Sequence, residues 1–168
     1  GEYEKRYGED IKAVLAELFL PLGDYKNTRI KFWKMVTELF SVAYMKQIYD
    51  WCDERGLKVT GHFVLEETLE TQLITNGACM PHYEYFHIPA IDWLFRECNK
   101  SLTVYQVVSA AQKKKKKEIL TESFAACGHG ISFAELKGIY EYQLVRGVNR
   151  LCPHLQGYSM RGLRKRDW

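Results

Sequence analysis

Glu66 and Glu122 are the residues whose type and placement point first to chemistry. Each sits towards the end of a short apolar run, LKVTGHFVLEE from Leu57 to Glu67 and EILTESFAAC from Glu118 to Cys127. A third run, VNRLCPHLQGYS from Val148 to Ser159, delivers His154 and Tyr158. Cleaving a glycosidic bond takes two carboxyl groups flanking the bridging oxygen, one giving a proton and the other acting as base or nucleophile. Two glutamates at the ends of different strands of a parallel sheet meet that need, because both face one cleft. Glu122 is the sharper candidate: between Thr121 and Ser123, at the end of an apolar strand, a carboxylate is costly unless paired or working. Glu66 has a competing explanation, since it precedes a helix with Glu67 and Glu70, and acids in a first turn stabilise the helix dipole.

Histidines and tyrosines gather around the same points. His62, His82, His129 and His154 follow expected strands or fall in an irregular stretch, a placement that suits a polar pocket. Tyr83, Tyr85 and Tyr158 can stack on a sugar or hydrogen-bond to it, although aromatic residues carry much of any core as well. None of the histidines pairs as HExxH or HxH, so no metal ligand is assigned.

The elements that must position these groups alternate. Ile11, Val14, Leu15, Leu18 and Phe19 recur at helical spacing until Pro21 and Gly23. Asn27 or Thr28 can cap a long second helix with Trp33, Val36, Phe40, Tyr44, Ile48 and Trp51 as its buried stripe, ending at Gly56. The Leu57 strand follows, then a short helix with Leu65, Leu69 and Leu73 that ends at Asn76-Gly77. Pro81 and Pro89 argue for an irregular loop around His82 and Tyr83, before a strand from Ile88 to Leu94. Thr103 can cap a helix through Val104, Val107 and Val108; Lys113 to Lys117 lead into the Glu118 strand. Ser132 and Glu135 form a capping box for a helix through Leu144, and the final strand starts after Gly147.

Strand–helix alternation implies an α/β fold with a parallel sheet. No GxGxxG or Walker pattern supports a doubly wound nucleotide-binding sheet. Polar residues at the C-terminal ends of several strands favour part of a (β/α)₈ TIM barrel, probed against the plainer alternative of a small open α/β sheet. Four strands are too few to close such a barrel, which places residues 1–168 as a single segment of one, its C-terminal half.

Composition narrows the classes further. The hydrophobic share of 46% and charged share of 27% are those of a folded domain, which excludes a disordered chain. No apolar run approaches a membrane span, so no membrane partner is expected, and no secretory signal is visible. Cys52, Cys79, Cys98, Cys127 and Cys152 are scattered without a CxxC spacing and read as small buried hydrophobes in a reducing compartment. The lysine run and the tail RGLRKRDW invite nucleic-acid binding, but no RNA-recognition, KH or zinc-finger pattern stands behind them, and no nucleic-acid partner is expected.

Four blocks carry a resemblance: TGHFVLEETLETQL, NGACMPHYEYFHIPAIDWL, ILTESFAACGHGISFAELKGIYEYQLVRGVN and PHLQGYSMRGLRKRDW. Together they resemble bacterial glycoside hydrolases related to the α-L-rhamnosidases of family 106, in that family's order, from about Trp33 onward. The resemblance implies a (β/α)₈ catalytic domain in a larger multidomain enzyme acting on plant or microbial polysaccharide, with the rest of the barrel and accessory domains as partners. It implies that Glu66 and Glu122 lie in the active-site cleft, Glu122 as base or nucleophile, and that His62, His154 and Tyr158 contact sugar. An upstream strand would supply a further catalytic carboxylate. Relatives of this type can use calcium, with no ligand set matched in this chain. Two departures stand out: the lysine run replaces a milder polar turn, and Ala90 stands where Gly is more usual before the Asp92 strand end. A non-catalytic carbohydrate-binding or scaffold domain is the alternative function. The segment alone is expected to be inactive, and measurable glycosidase turnover by the purified 168-residue protein would overturn that expectation.

Overall fold

Four short strands run parallel and neighbour one another in chain order: β1 (Thr60–Gly61), β2 (Ile88–Trp93), β3 (Leu120–Ser123) and β4 (Arg150–Pro153). The computed structural model describes residues 1–99, 101–155, 159 and 161–162. The α/β class and parallel sheet read from the alternation are what it contains. The register sets Asp92 level with Glu122 and Glu122 level with Cys152.

Period-2 alternation gives the sheet two unlike faces. Ile91, Trp93, Thr121 and Ser123 are completely buried. They face helix α6 (Ser101–Lys113), which contributes Val104, Val107 and Ala111 to the same core, and helix α7 (Phe133–Leu144), which contributes Ile139. The Gln143 amide of α7 donates to Ser123 Oγ at 3.1 Å, and the Trp93 and Tyr142 rings lie 5.5 Å apart. The other face carries Ala90 and Leu120 in its middle, with Ala90 buried, and polar groups towards both strand ends. Near the strand starts Lys58 Nζ meets Glu118 Oε2 at 2.9 Å and Arg150 Nε donates to Glu118 Oε1 at 2.8 Å. These bonds, Lys58 first, hold the Glu118 carboxyl below the usual carboxylate range.

The Ser132–Glu135 capping box forms as the sequence suggests: Glu135 N donates to Ser132 Oγ at 3.2 Å and Ser132 N to Glu135 Oε2 at 2.8 Å. Several other expectations change. After a short helix, α1 (Glu2–Tyr7), the first expected helical stretch is 3₁₀ over Ile11–Leu18 and buries none of its residues. The second starts one turn early, with Asp24 at its N-cap, and continues from α2 (Tyr25–Phe40) through a π-helical segment, Ser41–Met45, into α3 (Lys46–Asp53). Its buried positions are Thr28, Met35, Thr37, Ser41 and Met45, whereas Tyr44 and Trp51 are more than half exposed.

The physical reason for that rotated stripe is close approach. Short Thr37 lets the chain at Gly77 come so near that an added Cβ would lie 2.3 Å from Thr37 Oγ1 and 3.1 Å from Thr37 Cα. Gly77 also needs a positive φ, 79°. Around it, α4 (Leu69–Asn76) starts at Thr68, whose side chain accepts from Thr71 N, and keeps Leu69 largely exposed.

Two more elements are shorter or more regular than expected. The Leu57 strand pairs only at Thr60–Gly61, with Leu57 and Val64 exposed, and the chain turns at Leu65 with φ 55°. The stretch around His82 and Tyr83 is helical, α5 (Cys79–His82) followed by a 3₁₀ turn (Tyr83–Tyr85). Pro81 fits there because it lies in the first turn, where its missing N–H has no partner to lose. Of the cysteines, Cys79 and Cys127 are buried, but Cys98 and Cys152 are exposed, which departs from the buried-hydrophobe reading.

Trp93 carries the interface between sheet and helices. Trp93→Ala is expected to cost about 3–5 kcal/mol of unfolding free energy, measured by chemical denaturation.

Candidate functional site

At the C-terminal ends of β1, β2 and β3 three side chains meet on the open face. His62 follows β1, and its Nε2 lies 3.0 Å from Glu122 Oε2 on β3, while its Nδ1 lies 3.9 Å from Asp92 Oδ2 on β2. The imidazole therefore spans the central strand. With Glu122 ionised, its oxygen can only accept, so the shared proton sits on His62 Nε2. All three side chains remain reachable, at 32% exposure for His62, 23% for Asp92 and 33% for Glu122. His154, just past β4, is anchored beside them by its backbone N–H, which donates to Ser123 O at 2.8 Å. Cys152, exposed and level with Glu122, extends the row.

Strand ends are also where the backbone is strained. Phe95 follows β2 with φ 68°, and Phe124 and Ala126 follow β3 with φ 84° and 56°. Non-glycine residues rarely adopt such angles, and they persist only where surrounding structure imposes them. Here Phe95 N donates to Ala125 O at 2.9 Å, and Arg96 Nε donates to Cys127 O while its Nη1 reaches Glu135 Oε1 at 3.1 Å. One arginine thus ties the loops after β2 and β3 to the start of α7.

The structure does not bring Glu66 into this opening. Glu66 is 1% exposed, and both carboxyl oxygens are engaged inside the core: Asp92 N donates to Oε1 at 2.7 Å and the Tyr83 hydroxyl to Oε2 at 2.8 Å. Its carbonyl is held as well, by Gln72 Nε2 at 2.8 Å and, at 3.4 Å each, by Thr103 Oγ1 and Gln106 Nε2. Burial pushes its carboxyl up to about 8, against the opposing pull of the Asp92 N–H and the Tyr83 hydroxyl. Thr103, read as a helix cap, lies within the first turn of α6 and serves this network instead.

His82 and Tyr83 likewise lie in the core and not on a sugar-accessible surface. Ser41 Oγ is 2.7 Å from His82 Nδ1, and His82 Nε2 is 2.8 Å from Asn76 O. A carbonyl only accepts, so Nε2 carries the proton and Nδ1 accepts from the serine. Burial lowers the pKa of this histidine, and packing against Phe40 and Phe63 completes a structural role. His129 is exposed in the loop after β3, and Tyr158 lies outside the described residues.

Asp92 is the member of the cluster that the paired-glutamate reading missed. The signal was present: in IPAIDWL the alternation sets Asp92 on the face opposite Ile91 and Trp93. A cavity of about 350 Å³ opens beside β1, next to His62, with Phe40, Tyr44, Ile48 and Phe86 in its wall. A larger one, about 670 Å³, lies away from the carboxylates between Trp33, Thr37, Leu73 and Tyr85. Among the described residues no group of three or more His, Cys, Asp or Glu is placed to hold a metal ion. None of their helices is long and apolar enough to cross a membrane.

Parts of the lysine run are spoken for: Lys114 Nζ pairs with Glu84 at 2.7 Å, and Lys116 Nζ donates to Glu84 O at 2.7 Å and to Phe86 O. These contacts fasten the run to the turn before β2.

No protein-family model matches the chain, and no curated protein matches it.

The Glu66 carboxyl makes stability depend on pH. Below about 4.5 folded and unfolded states both hold its proton; between about 4.5 and 8 only the folded state does. Stability from this group is therefore full at low pH, falls as pH rises through that window, and levels off above it. Glu66→Gln, which mimics the neutral acid, is expected to remove that slope, read from denaturation midpoints between pH 5 and 9.

Proposed function

We propose that these residues form part of the sugar cleft of a glycoside hydrolase of the α-L-rhamnosidase type, within a (β/α)₈ catalytic domain. The observation that carries this reading is the His62–Glu122 contact of 3.0 Å on the open face, at the C-terminal strand ends, with Asp92 alongside. Barrel enzymes build their sites at that end. Strands neighbouring in chain order, with the helices α6 and α7 buried against one face and polar groups on the other, support a barrel segment over a sheet wound in both directions. Strained backbone just beyond β2 and β3 supports a functional rim.

In this reading Glu122 is the base or nucleophile, and the imidazole of His62 fixes where its carboxylate points. Asp92 takes the place first given to Glu66 as the second acid of the open face. His154 is read as a contact to a sugar hydroxyl. A carboxylic acid from the remainder of the barrel protonates the leaving oxygen while Glu122 activates water or attacks the anomeric carbon. Rhamnose-like sugars fit the quoted motifs, and the aromatic wall of the cavity next to His62 offers an apolar surface to a deoxy sugar.

The test is hydrolysis of 4-nitrophenyl α-L-rhamnopyranoside by the intact enzyme that carries these residues. Glu122→Gln is expected to lower kcat by on the order of 10²–10⁴ with little change in KM. Unchanged turnover in that variant overturns the assignment. Sugar binding with no turnover by the unmodified enzyme identifies a non-catalytic carbohydrate-binding domain instead.

A further inference from the structure

Glu66 is a buried acid that the proposed chemistry does not use, yet it touches the site from below. The geometry points to Glu66 as the positioning residue of the open-face cluster, fixing the backbone of Asp92 and, through it, the carboxylate that faces His62. This inference rests on the reading of His62, Asp92 and Glu122 as a site, and its test is independent of catalysis.

Three observations carry it. First, Glu66 Oε1 accepts the Asp92 N–H at 2.7 Å, so the bond is made to the very residue whose side chain lies 3.9 Å from His62 Nδ1. Second, the acid cannot swing away. Tyr83 grips Oε2, three side chains from α4 and α6 hold its carbonyl, and no solvent reaches it. Third, the carboxyl can hold or lose its proton without leaving Asp92. Ionised, it accepts from both the Asp92 N–H and the Tyr83 hydroxyl; protonated on Oε2, it keeps the Asp92 N–H on Oε1 while the bond to Tyr83 reverses and the acid donates to the phenol oxygen.

The groups facing it from each packed element agree. Asp92 on β2, Glu67 beside it in the chain, and the Cys79 thiol and Tyr83 phenol of the α5 region offer no positive charge. Gln72 from α4 and Gln106 and Thr103 from α6 are uncharged. An ionised Glu66 would place a second negative charge directly beneath Asp92. The arrangement therefore ties the posture of the open-face acid to the protonation of a group that solvent does not reach.

The experiment is heteronuclear NMR of the 168-residue protein, following the Asp92 amide and its side-chain carboxyl carbon from pH 6 to pH 10. The expected result is a transition at both Asp92 nuclei with a midpoint near 8, the value to which burial pushes Glu66, and its loss in Glu66→Gln. In that variant the amide oxygen still accepts from Asp92 N, and the –NH₂, which can only donate, reverses the bond to the Tyr83 oxygen as a protonated acid would, so the Asp92 shifts are expected to stay at their low-pH positions throughout. Tyr83→Phe, which keeps the fold's apolar volume, is expected to move the midpoint without abolishing it. Asp92 signals that stay unchanged across this range, or titrate identically in Glu66→Gln, overturn the proposal. Failure of the hydrolysis test above, with these shifts as expected, would leave the coupling intact and remove only its catalytic meaning.

Discussion

The buried carboxyl of Glu66 is the interaction on which the rest of the fold depends. Five donors converge on its side chain and carbonyl, from the 3₁₀ turn, β2, α4 and α6. These segments belong to different strand–helix units, and apolar packing alone would let them slide. Hydrogen bonds to a desolvated group cannot be lost cheaply, because each partner would be stranded away from water. The network therefore fixes register where the hydrophobic effect only supplies cohesion. It also explains why β1 can be as short as two paired residues: its continuation is held by Glu66 and not by a longer ladder.

How much of this was legible follows the range of the interactions. The Ser132–Glu135 box, the α6 stripe of Val104, Val107 and Val108, and the strand at Ile88–Trp93 are written in spacings of a few residues and were read directly. The position of Glu122 near the end of a strand, flanked by Thr121 and Ser123, was legible too. The burial of Glu66 was not. Its partners lie from 6 to 40 positions along the chain, and nothing near Glu66 separates a catalytic acid from a structural one. The same holds for His82, whose partners Ser41 and Asn76 come from separate helices.

The two faces of the sheet divide the work. Cohesion comes from the face of Ile91 and Trp93, where α6 and α7 pack. Opposite it, the strand starts are zipped by Lys58, Glu118 and Arg150, and the strand ends bring His62, Asp92 and Glu122 together. Ion pairs this exposed contribute little cohesion. The backbone ladder sets the strands level, so that residues from three strand ends meet on the open face.

The π-helical segment Ser41–Met45 has a consequence for how this chain can change length. Each residue of an α-helix turns the chain by about 100°, so a segment carrying one residue too many rotates everything after it relative to everything before. Upstream of it Thr37 meets the backbone of Gly77; within it Ser41 meets His82; downstream Tyr49 stacks on His87, with ring centroids 4.3 Å apart. These contacts are in phase only because the extra residue is there. Dropping one residue would make the helix more regular and turn Tyr49 away from the sheet, so an insertion that looks like a flaw in the helix acts as its phase-setting device.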